Sequence, residues 1–187
     1  MKISEQLIAM AKRDLDTRTR LAADGSLFDG YNSEMQAVHE ANAAELAAIL
    51  DAGGWPSREA VGAEAADAAW LVAQHAIGLP DFQRRCLALI AASDAPAWQA
   101  AMLEDRIRIL EGHEQRYGTA FDWDEDGQMS PQPIEQPDDV DARRAAVGLP
   151  PLSETIARHR ATSDHRPPDL AQRQRDYTAW LKKVGWR

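Results

Sequence analysis

Apolar residues recur at intervals of three and four along most of this chain, in segments that glycine and proline separate. That spacing places apolar side chains on one face of an α-helix. Alanine dominates the apolar residues, whereas the β-branched residues that strands prefer are sparse. The sequence therefore predicts an all-α fold, a helical bundle of five to seven helices with one small β-hairpin.

The bounds of the predicted helices follow from glycine, proline and capping residues. Ser33 begins one helix, which ends at Gly53-Gly54, and Ser57 is placed to cap the next. The predicted helices cover residues 3–23, 33–51, 57–77, 80–92, 94–113 and 138–147, with shorter ones at 153–162 and 169–184. Between them, Phe121 and Trp123 alternate with polar residues before a turn at Asp126-Gly127, which predicts the hairpin.

Charge divides the chain into an acidic body and a basic tail. The 187 residues have a formal net charge of −9, yet residues 158–187 carry 8 basic and 3 acidic side chains. A negative net charge argues against nucleic acid as the main partner, because phosphate binding needs a basic face. We expect a helical domain at residues 1–163 and a basic tail at residues 164–187. The tail either folds back on the body or binds an acidic partner, and the amphipathic helix at residues 169–184 offers a surface for a homo-oligomer.

The sequence also indicates where the protein works. Its N-terminus lacks the apolar stretch and cleavage site of a signal peptide, and no run approaches the ~20 apolar residues of a membrane span. A single cysteine, Cys86, excludes an internal disulfide. We therefore expect a cytoplasmic protein with no membrane partner.

An acidic turn in the predicted hairpin matches half of a calcium-loop signature. Asp122, Asp124 and Asp126 alternate before Gly127, as the first half of that signature requires. The position that should supply a bidentate glutamate, six residues after the glycine, is Pro133. A solvated turn is therefore the better interpretation.

Polar residues interrupt the apolar stripes of four predicted helices. His75 continues a stripe formed by Val61, Ala65, Ala68 and Val72. The other interruptions are Asp14 and Arg18 in the first helix, Asn42 in the second with His39 at the edge of its stripe, and Asp105 in the fifth. Buried polar groups must be satisfied by one another, by water or by a ligand. The four stripes therefore predict a shared polar pocket.

Two pairs of residues would give this pocket a chemical function. Asp14 and Arg18 are spaced to form an ion pair along one helix. His75 with Asp105 would form an oriented imidazole–carboxylate pair, in which His75 is a general acid/base and Arg18 anchors an anionic small molecule. Two alternatives stay open at this point. The polar residues could form a purely structural network, or the protein could be an interaction module that acts through its C-terminal helix.

No metal or other cofactor is predicted. His39, His75, Asp14 and Asp105 include suitable nitrogen and oxygen donors, but none of them follows the short spacings of known metal motifs. Arg18 in the same cluster would also oppose a cation. No phosphate-binding loop, dinucleotide-binding turn or nucleophile elbow is present in the sequence.

Several short stretches together resemble a bacterial family known only as a domain of unknown function. They carry the elements Gly-Trp-Pro, Gln-His-Ala, Asp-Arg, Gln-x-Tyr-Gly-Thr and Arg-x-x-x-Gly-Leu, within about residues 3–157. The resemblance implies family positions at Trp55, Pro56, Gly62, Gln74, His75, Asp105, Arg106, Gln115, Tyr117, Gly118, Thr119, Arg144 and Gly148, and on shorter elements at Asp14, Arg18 and Asn42. It implies no particular reaction.

Four of these family positions extend the predicted site. Arg106, Gln115, Tyr117 and Arg144 fall on the fifth helix, the loop after it and the next helix. We expect them to bind the small molecule from the mouth of the pocket or to support the residues that do.

The chain departs from the family pattern at two positions. His39 stands where an acidic residue is expected, three residues before Asn42, and Ala120 stands where glutamine is usual. Both changes could alter the ligand of a pocket.

Overall fold

A computed structural model describes residues 2–28, 30–163 and 169–187 and confirms the all-α fold with one small hairpin. The α-helices of these residues are α1 (Ile3–Ala23), α2 (Ser33–Gly53), α3 (Arg58–Val61), α4 (Ala63–His75), α5 (Pro80–Ala91), α6 (Ala97–Glu111), α7 (Val140–Ala146), α8 (Leu152–Thr162) and α9 (Leu170–Val184). Strands β1 (Phe121–Trp123) and β2 (Met129–Pro131) form the antiparallel hairpin. Among these elements, no helix has both the length and the apolar character of a membrane span.

The predicted helix at residues 57–77 is two helices, so the described residues hold nine α-helices where eight helical segments were predicted. Gly62 separates α3 from α4 with a φ of 85°, a left-handed conformation that glycine adopts without strain. The Ser57 side chain caps α3 by accepting the N–H of Ala60, as its sequence position predicts.

The chain consists of two compact units, residues 1–95 and residues 96–187. In the first unit, α1 packs against α2 and α4. Helix α4 presents almost only alanine to this core, in the buried side chains of Ala65, Ala66, Ala68, Ala69 and Ala73. Small side chains permit a short distance between helix axes. Polar side chains on α1 and α2 can therefore come within bonding distance of α4.

The second unit is built on α6, whose buried face includes Leu103, Ile107 and Leu110. A loop leads from α6 to the β1–β2 hairpin, and α8 packs against β2. The ring of Phe121 stacks on that of His159 with 4.0 Å between their centroids. The two short strands thus gain an apolar cover from a helix, which an isolated hairpin would lack.

The basic tail folds onto the second unit wherever it is described. Leu181 and Trp186 are buried, and Arg187 donates hydrogen bonds to the carbonyls of Ile109 and Leu110. Arg173 forms an ion pair of 2.8 Å with Asp122 in the hairpin. Of the two roles predicted for the tail, folding back is the one that these contacts support.

Candidate functional site

Three polar side chains meet inside the first unit, one from each of three helices. Asp14 comes from the buried face of α1, His39 from that of α2, and His75 is the last residue of α4. Asp14 is fully buried, His39 is 8% exposed, and the side chain of His75 is 23% exposed. One nitrogen of each imidazole and one oxygen of the carboxylate all lie within 4.8 Å of one another. We call these residues the Asp14–His39–His75 cluster.

The ring of His75 is held by the Asp14 carboxylate. Nδ1 of His75 lies 2.9 Å from both Oδ1 and Oδ2 of Asp14. An ionised carboxylate only accepts hydrogen bonds, so Nδ1 carries the hydrogen in this contact. In the neutral ring, Nε2 is then the nitrogen with the lone pair.

His39 approaches the same carboxylate from α2. Its Nε2 lies 3.2 Å from Oδ2 of Asp14, but the direction of the N–H does not give a hydrogen bond, so this buried nitrogen has no hydrogen-bond partner among the described residues. On the other side of the ring, Nδ1 lies 2.7 Å from the hydroxyl of Tyr31, whose own ring stacks on the imidazole. The centroids of the His39 and His75 rings are 5.4 Å apart.

The two histidines decide the charge of Asp14. Burial alone would raise the pKa of this carboxyl, but contacts with His39 and His75 outweigh burial and hold its pKa well below the usual range. Burial, together with the charges of Glu40 and Asp14, raises the pKa of Tyr31. The Asp14–His39–His75 cluster therefore consists of an ionised carboxylate and two imidazoles, with the protonated phenol of Tyr31 beside it. Such a set can transfer protons or hold a cation.

Asn42 and Arg18, two further predicted members of the pocket, have other positions. Asn42 joins α2 to α1, because its Nδ2 donates to the carbonyl of Met10 at 3.1 Å and its Oδ1 accepts from Arg13. The side chain of Arg18 is exposed. The predicted ion pair between Asp14 and Arg18 is wrong: Arg18 follows Asp14 by about 40° around the helix, and the carboxylate faces the two histidines instead.

Asp105 belongs to the second unit, where its carboxylate binds the loop after α6. It accepts the backbone N–H groups of Arg116, Tyr117 and Thr119 and the hydroxyl of Thr119, at distances from 2.7 to 3.1 Å. These four donors use the acceptor capacity of the carboxylate. The predicted pair of His75 with Asp105 is therefore wrong, and Asp14 is the carboxylate that orients His75.

Arg144 and Gln115 bind the same loop. Arg144 is 1% exposed and donates to the carbonyls of Tyr117, Gly118 and Pro150 and to the hydroxyl of Thr155. Gln115 is fully buried; its side chain accepts the N–H of Ala120 and donates to the carbonyls of Ala120 and Gln132. Both side chains are thus engaged with backbone groups of the fold.

The remaining predicted residues, Tyr117 and Arg106, are half-buried in the second unit. The backbone N–H of Tyr117 is bound by Asp105, and its carbonyl is bound by Arg144. The guanidinium of Arg116 lies 5.6 Å from the centre of the Tyr117 ring. Arg106 follows Asp105 directly on α6. A role for either side chain in binding a small molecule stays a prediction.

Tyr31 was not predicted from the sequence, and His39 was predicted only at the edge of its stripe and as a possible metal donor, not as a pocket residue. His39 shows a signal, because it lies four residues after Met35 and three before Asn42, both of which are buried on α2. Tyr31 precedes the residue that caps α2 and belongs to no helix or strand, so periodicity cannot identify it.

A comparison with known families agrees with the resemblance noted in the sequence. Residues 2–163 match a family of unknown function, DUF6624. No curated protein and no solved structure matches the chain. The matched range holds all three residues of the Asp14–His39–His75 cluster and ends just before the basic tail. The chain therefore belongs to this family of unknown function.

Proposed function

We propose that the protein is an enzyme that transfers protons to or from a small anionic molecule, with His75 as the general acid/base. The observation that carries this proposal is the contact of 2.9 Å between Nδ1 of His75 and the fully buried carboxylate of Asp14. A carboxylate in this position fixes the tautomer of an imidazole and stabilises its charged form when it takes up a proton.

The exposure of the cluster supports His75 as the residue that meets the substrate. Asp14 is inaccessible to solvent and His39 nearly so, whereas 23% of the His75 side chain is exposed. We assign the exchange of a proton with the substrate to Nε2, since Nδ1 is the ring nitrogen that contacts Asp14. Asp14 and His39 are then positioning residues, since they act through the ring of His75.

Tyr31 and His39 also support the charge of Asp14. The phenol of Tyr31 stays protonated and lies 2.7 Å from Nδ1 of His39, so its hydroxyl can donate to that nitrogen. When Nδ1 of His39 accepts this hydrogen bond, the ring hydrogen of the neutral imidazole is on Nε2, which faces Asp14. The carboxylate then accepts the N–H of His75 and lies 3.2 Å from the N–H nitrogen of His39, and both contacts favour its ionised form.

Arg18 is our candidate for the anchor of an anionic substrate group. It is exposed, so its charge is available to a molecule from solvent, and it lies one helical turn after Asp14, about 6 Å along the axis of α1. An arginine can hold a carboxylate or a phosphate through two parallel hydrogen bonds. We further propose a bacterial, cytoplasmic setting.

An interaction module that acts through the C-terminal helix is the less supported function. Leu181 and Trp186 are buried in the second unit, and Arg187 is bonded to carbonyls of α6. The apolar stripe of α9 is thus engaged in part within its own unit, which leaves less of it for a partner or a second copy.

The tautomer of His75 can be measured before a substrate is known. In metal-free protein with 15N-labelled histidine, we expect long-range proton–nitrogen spectra at neutral pH to show the hydrogen of His75 on Nδ1. Asp14→Asn should remove this preference, and the exposed His113 should keep the same spectrum in both proteins. A wild-type His75 ring with its hydrogen on Nε2 would contradict the proposed role.

The reaction itself is tested with panels of small carboxylates, phosphate esters and carboxylate esters. We expect His75→Gln to lower turnover of an accepted substrate by about 10²–10⁴-fold, and Arg18→Gln to raise KM while kcat changes little. His113→Gln is the matched control, because His113 is exposed in the second unit. Equal turnover by wild type and His75→Gln would reject the proposal.

A further inference from the structure

We propose that the Asp14–His39–His75 cluster is a binding site for one divalent transition-metal ion of the zinc class. The ligand atoms are Nε2 of His39, Nδ1 of His75 and an oxygen of Asp14. The inference goes beyond the proposed function and does not rest on it, because ion binding requires no turnover.

The distances within the cluster fit a metal centre. Oδ2 of Asp14 lies 3.2 Å from Nε2 of His39 and 2.9 Å from Nδ1 of His75. Nitrogen and oxygen ligands lie about 2.0–2.2 Å from zinc. Two ligands at that radius, at angles between octahedral and tetrahedral, are about 2.9–3.4 Å from each other. Both of these pairs of atoms thus have the separation that two ligands of one ion require.

Nε2 of His39 provides an independent indication of a ligand. The side chain is more than nine-tenths buried, and this nitrogen points into the cluster without a hydrogen-bond partner among the residues described. Buried polar atoms without partners are rare, because their desolvation is uncompensated. A metal ion would satisfy the nitrogen through its lone pair.

The surroundings of His39 also resemble those of a metal ligand. A metal-binding histidine usually gives its other ring hydrogen to a neighbouring acceptor, which fixes the ring. In His39 that atom is Nδ1, and the hydroxyl oxygen of Tyr31 lies 2.7 Å away and can accept as well as donate. On metal binding, the ring hydrogen of His39 would move from Nε2 to Nδ1, and the Tyr31 contact would be kept with its direction reversed.

The donor set identifies the class of ion. Two imidazole nitrogens and one carboxylate oxygen suit zinc, iron, cobalt or manganese, whereas calcium and magnesium prefer oxygen ligands throughout. Three protein ligands also leave a coordination position for water, as in catalytic rather than structural zinc sites. The half-buried His75 is where such a water would reach solvent.

The sequence suggested no metal site for two reasons that the structure removes. The three ligands come from three different helices, so no short spacing within one helix indicates a metal site. Arg18, which would have opposed a cation, is exposed rather than part of the cluster.

The metal and the proton compete for the same atoms. On metal binding, the ring hydrogen of His75 would move from Nδ1 to Nε2. The ion would then be held by the lone pair of Nδ1 and by the carboxylate of Asp14, in place of the hydrogen bond between them. A protein loaded with the ion therefore cannot use the Asp14–His75 hydrogen bond for proton transfer at the same time. This exclusivity allows the two proposals to be tested separately.

The test is metal binding by the full chain after treatment with a chelator. Zn²⁺ titration followed by calorimetry should give one site per chain with a Kd of about 1 µM or tighter, and Co²⁺ should produce visible absorption bands. His39→Gln and His75→Gln should each weaken binding at least ~100-fold, and Tyr31→Phe ~10–100-fold. His113→Gln and Tyr177→Phe are the matched controls and should bind as wild type does. Circular dichroism checks that each variant is folded.

The outcomes distinguish this inference from the proposed function. Zinc binding that is weak in wild type, or unchanged in His39→Gln and His75→Gln, would overturn the metal site. Turnover by chelator-treated protein could still support the acid/base role in that case. Zinc binding that is lost in those two variants supports the site even when no substrate is turned over.

Discussion

Asp105 and Arg144 bind the backbone N–H and the carbonyl of one residue, Tyr117. Asp105 accepts the N–H of Tyr117 at 3.0 Å, and Arg144 donates to its carbonyl at 2.6 Å. Both charged side chains are buried. Opposite charges that bind the backbone of one loop stabilise a single loop conformation. This explains why two charged side chains lie in the core without being part of the Asp14–His39–His75 cluster.

Arg144 should therefore matter for stability. Arg144→Met removes the donors to three carbonyls and a hydroxyl, and hydrogen bonds that involve a charged group contribute about 1.5–3 kcal/mol each. We expect the free energy of unfolding in urea to fall by at least ~3 kcal/mol. Arg158→Met, at an exposed position of α8, should change it by no more than ~0.5 kcal/mol. Equal losses in the two variants would contradict this role.

Asp105 should control the opening of the loop. Three amide N–H groups bind its carboxylate, and in Asp105→Asn a neutral amide with only one acceptor oxygen replaces it. Hydrogen exchange at Arg116, Tyr117 and Thr119 should accelerate at least ~10-fold, because each 1.4 kcal/mol corresponds to about a factor of ten. Exchange within α4 of the first unit should not change. A variant with wild-type exchange in the loop would show that the carboxylate does not fix it.

Substitutions at two glycines with positive φ distinguish backbone strain from steric overlap with neighbouring side chains. Gly118 and Gly148 have φ of 66° and 77°, so alanine is strained at both. A Cβ at Gly118 would lie 2.9 Å from Leu152 and 3.0 Å from Ile134, whereas one at Gly148 would meet nothing within 4 Å. We expect Gly118→Ala to lower the free energy of unfolding by about 1–3 kcal/mol more than Gly148→Ala does. Similar losses in the two variants would mean that the side chains move aside.

The helical elements could be predicted from the sequence because their signals are local. Glycine, proline and capping residues lie next to the residues that they affect, and the predicted 3–23 and 80–92 agree with Ile3–Ala23 and Pro80–Ala91 to within one residue. Gly62 was the exception, since the apolar stripe of residues 61–75 continues through it although its φ is not helical.

The partners of buried polar residues could not be predicted in the same way. Periodicity shows that Asp14 and Asp105 face inward, and both are indeed fully buried. It does not show which group each will meet, because that depends on where another helix or loop passes. Asp105 is bound by the loop that follows its own helix, and Asp14 meets His39 and His75 from two other helices.

Cys86 provides a probe of unfolding in the first unit. The side chain is fully buried, and burial raises the pKa of its thiol to about 12. Only the thiolate reacts with disulfide reagents, so native protein should react very slowly at pH 8. Because Cys86 is the only cysteine, the rate of labelling in increasing urea should follow the opening of this unit alone. Rapid labelling without urea would contradict the buried position.

The pH dependence of stability tests whether the histidines or burial dominate the charge of Asp14. The folded-state pKa of Asp14 is lowered below its usual range, and the unfolded value for aspartate is about 3.9. Folded protein thus binds fewer protons at this site than unfolded protein does. The stabilising contribution of Asp14 is complete above the unfolded pKa and is lost as the pH falls through the folded pKa.

The measurement compares urea unfolding of chelator-treated wild type and Asp14→Asn between pH 5 and pH 3, below the ordinary pKa of histidine. We expect the difference in the free energy of unfolding to be largest near pH 5 and to narrow below about pH 4. Asp16→Asn is the matched control on the same helix, since Asp16 is exposed and forms an ion pair with the exposed Lys12. That variant should differ from wild type by about 0–1 kcal/mol at every pH. A difference between wild type and Asp14→Asn that widens in acid would mean that burial raises the pKa of Asp14 in the folded protein. The carboxylate would then be protonated more readily than an exposed one, and the Asp14–His39–His75 cluster would lack the fixed negative charge that both proposals require.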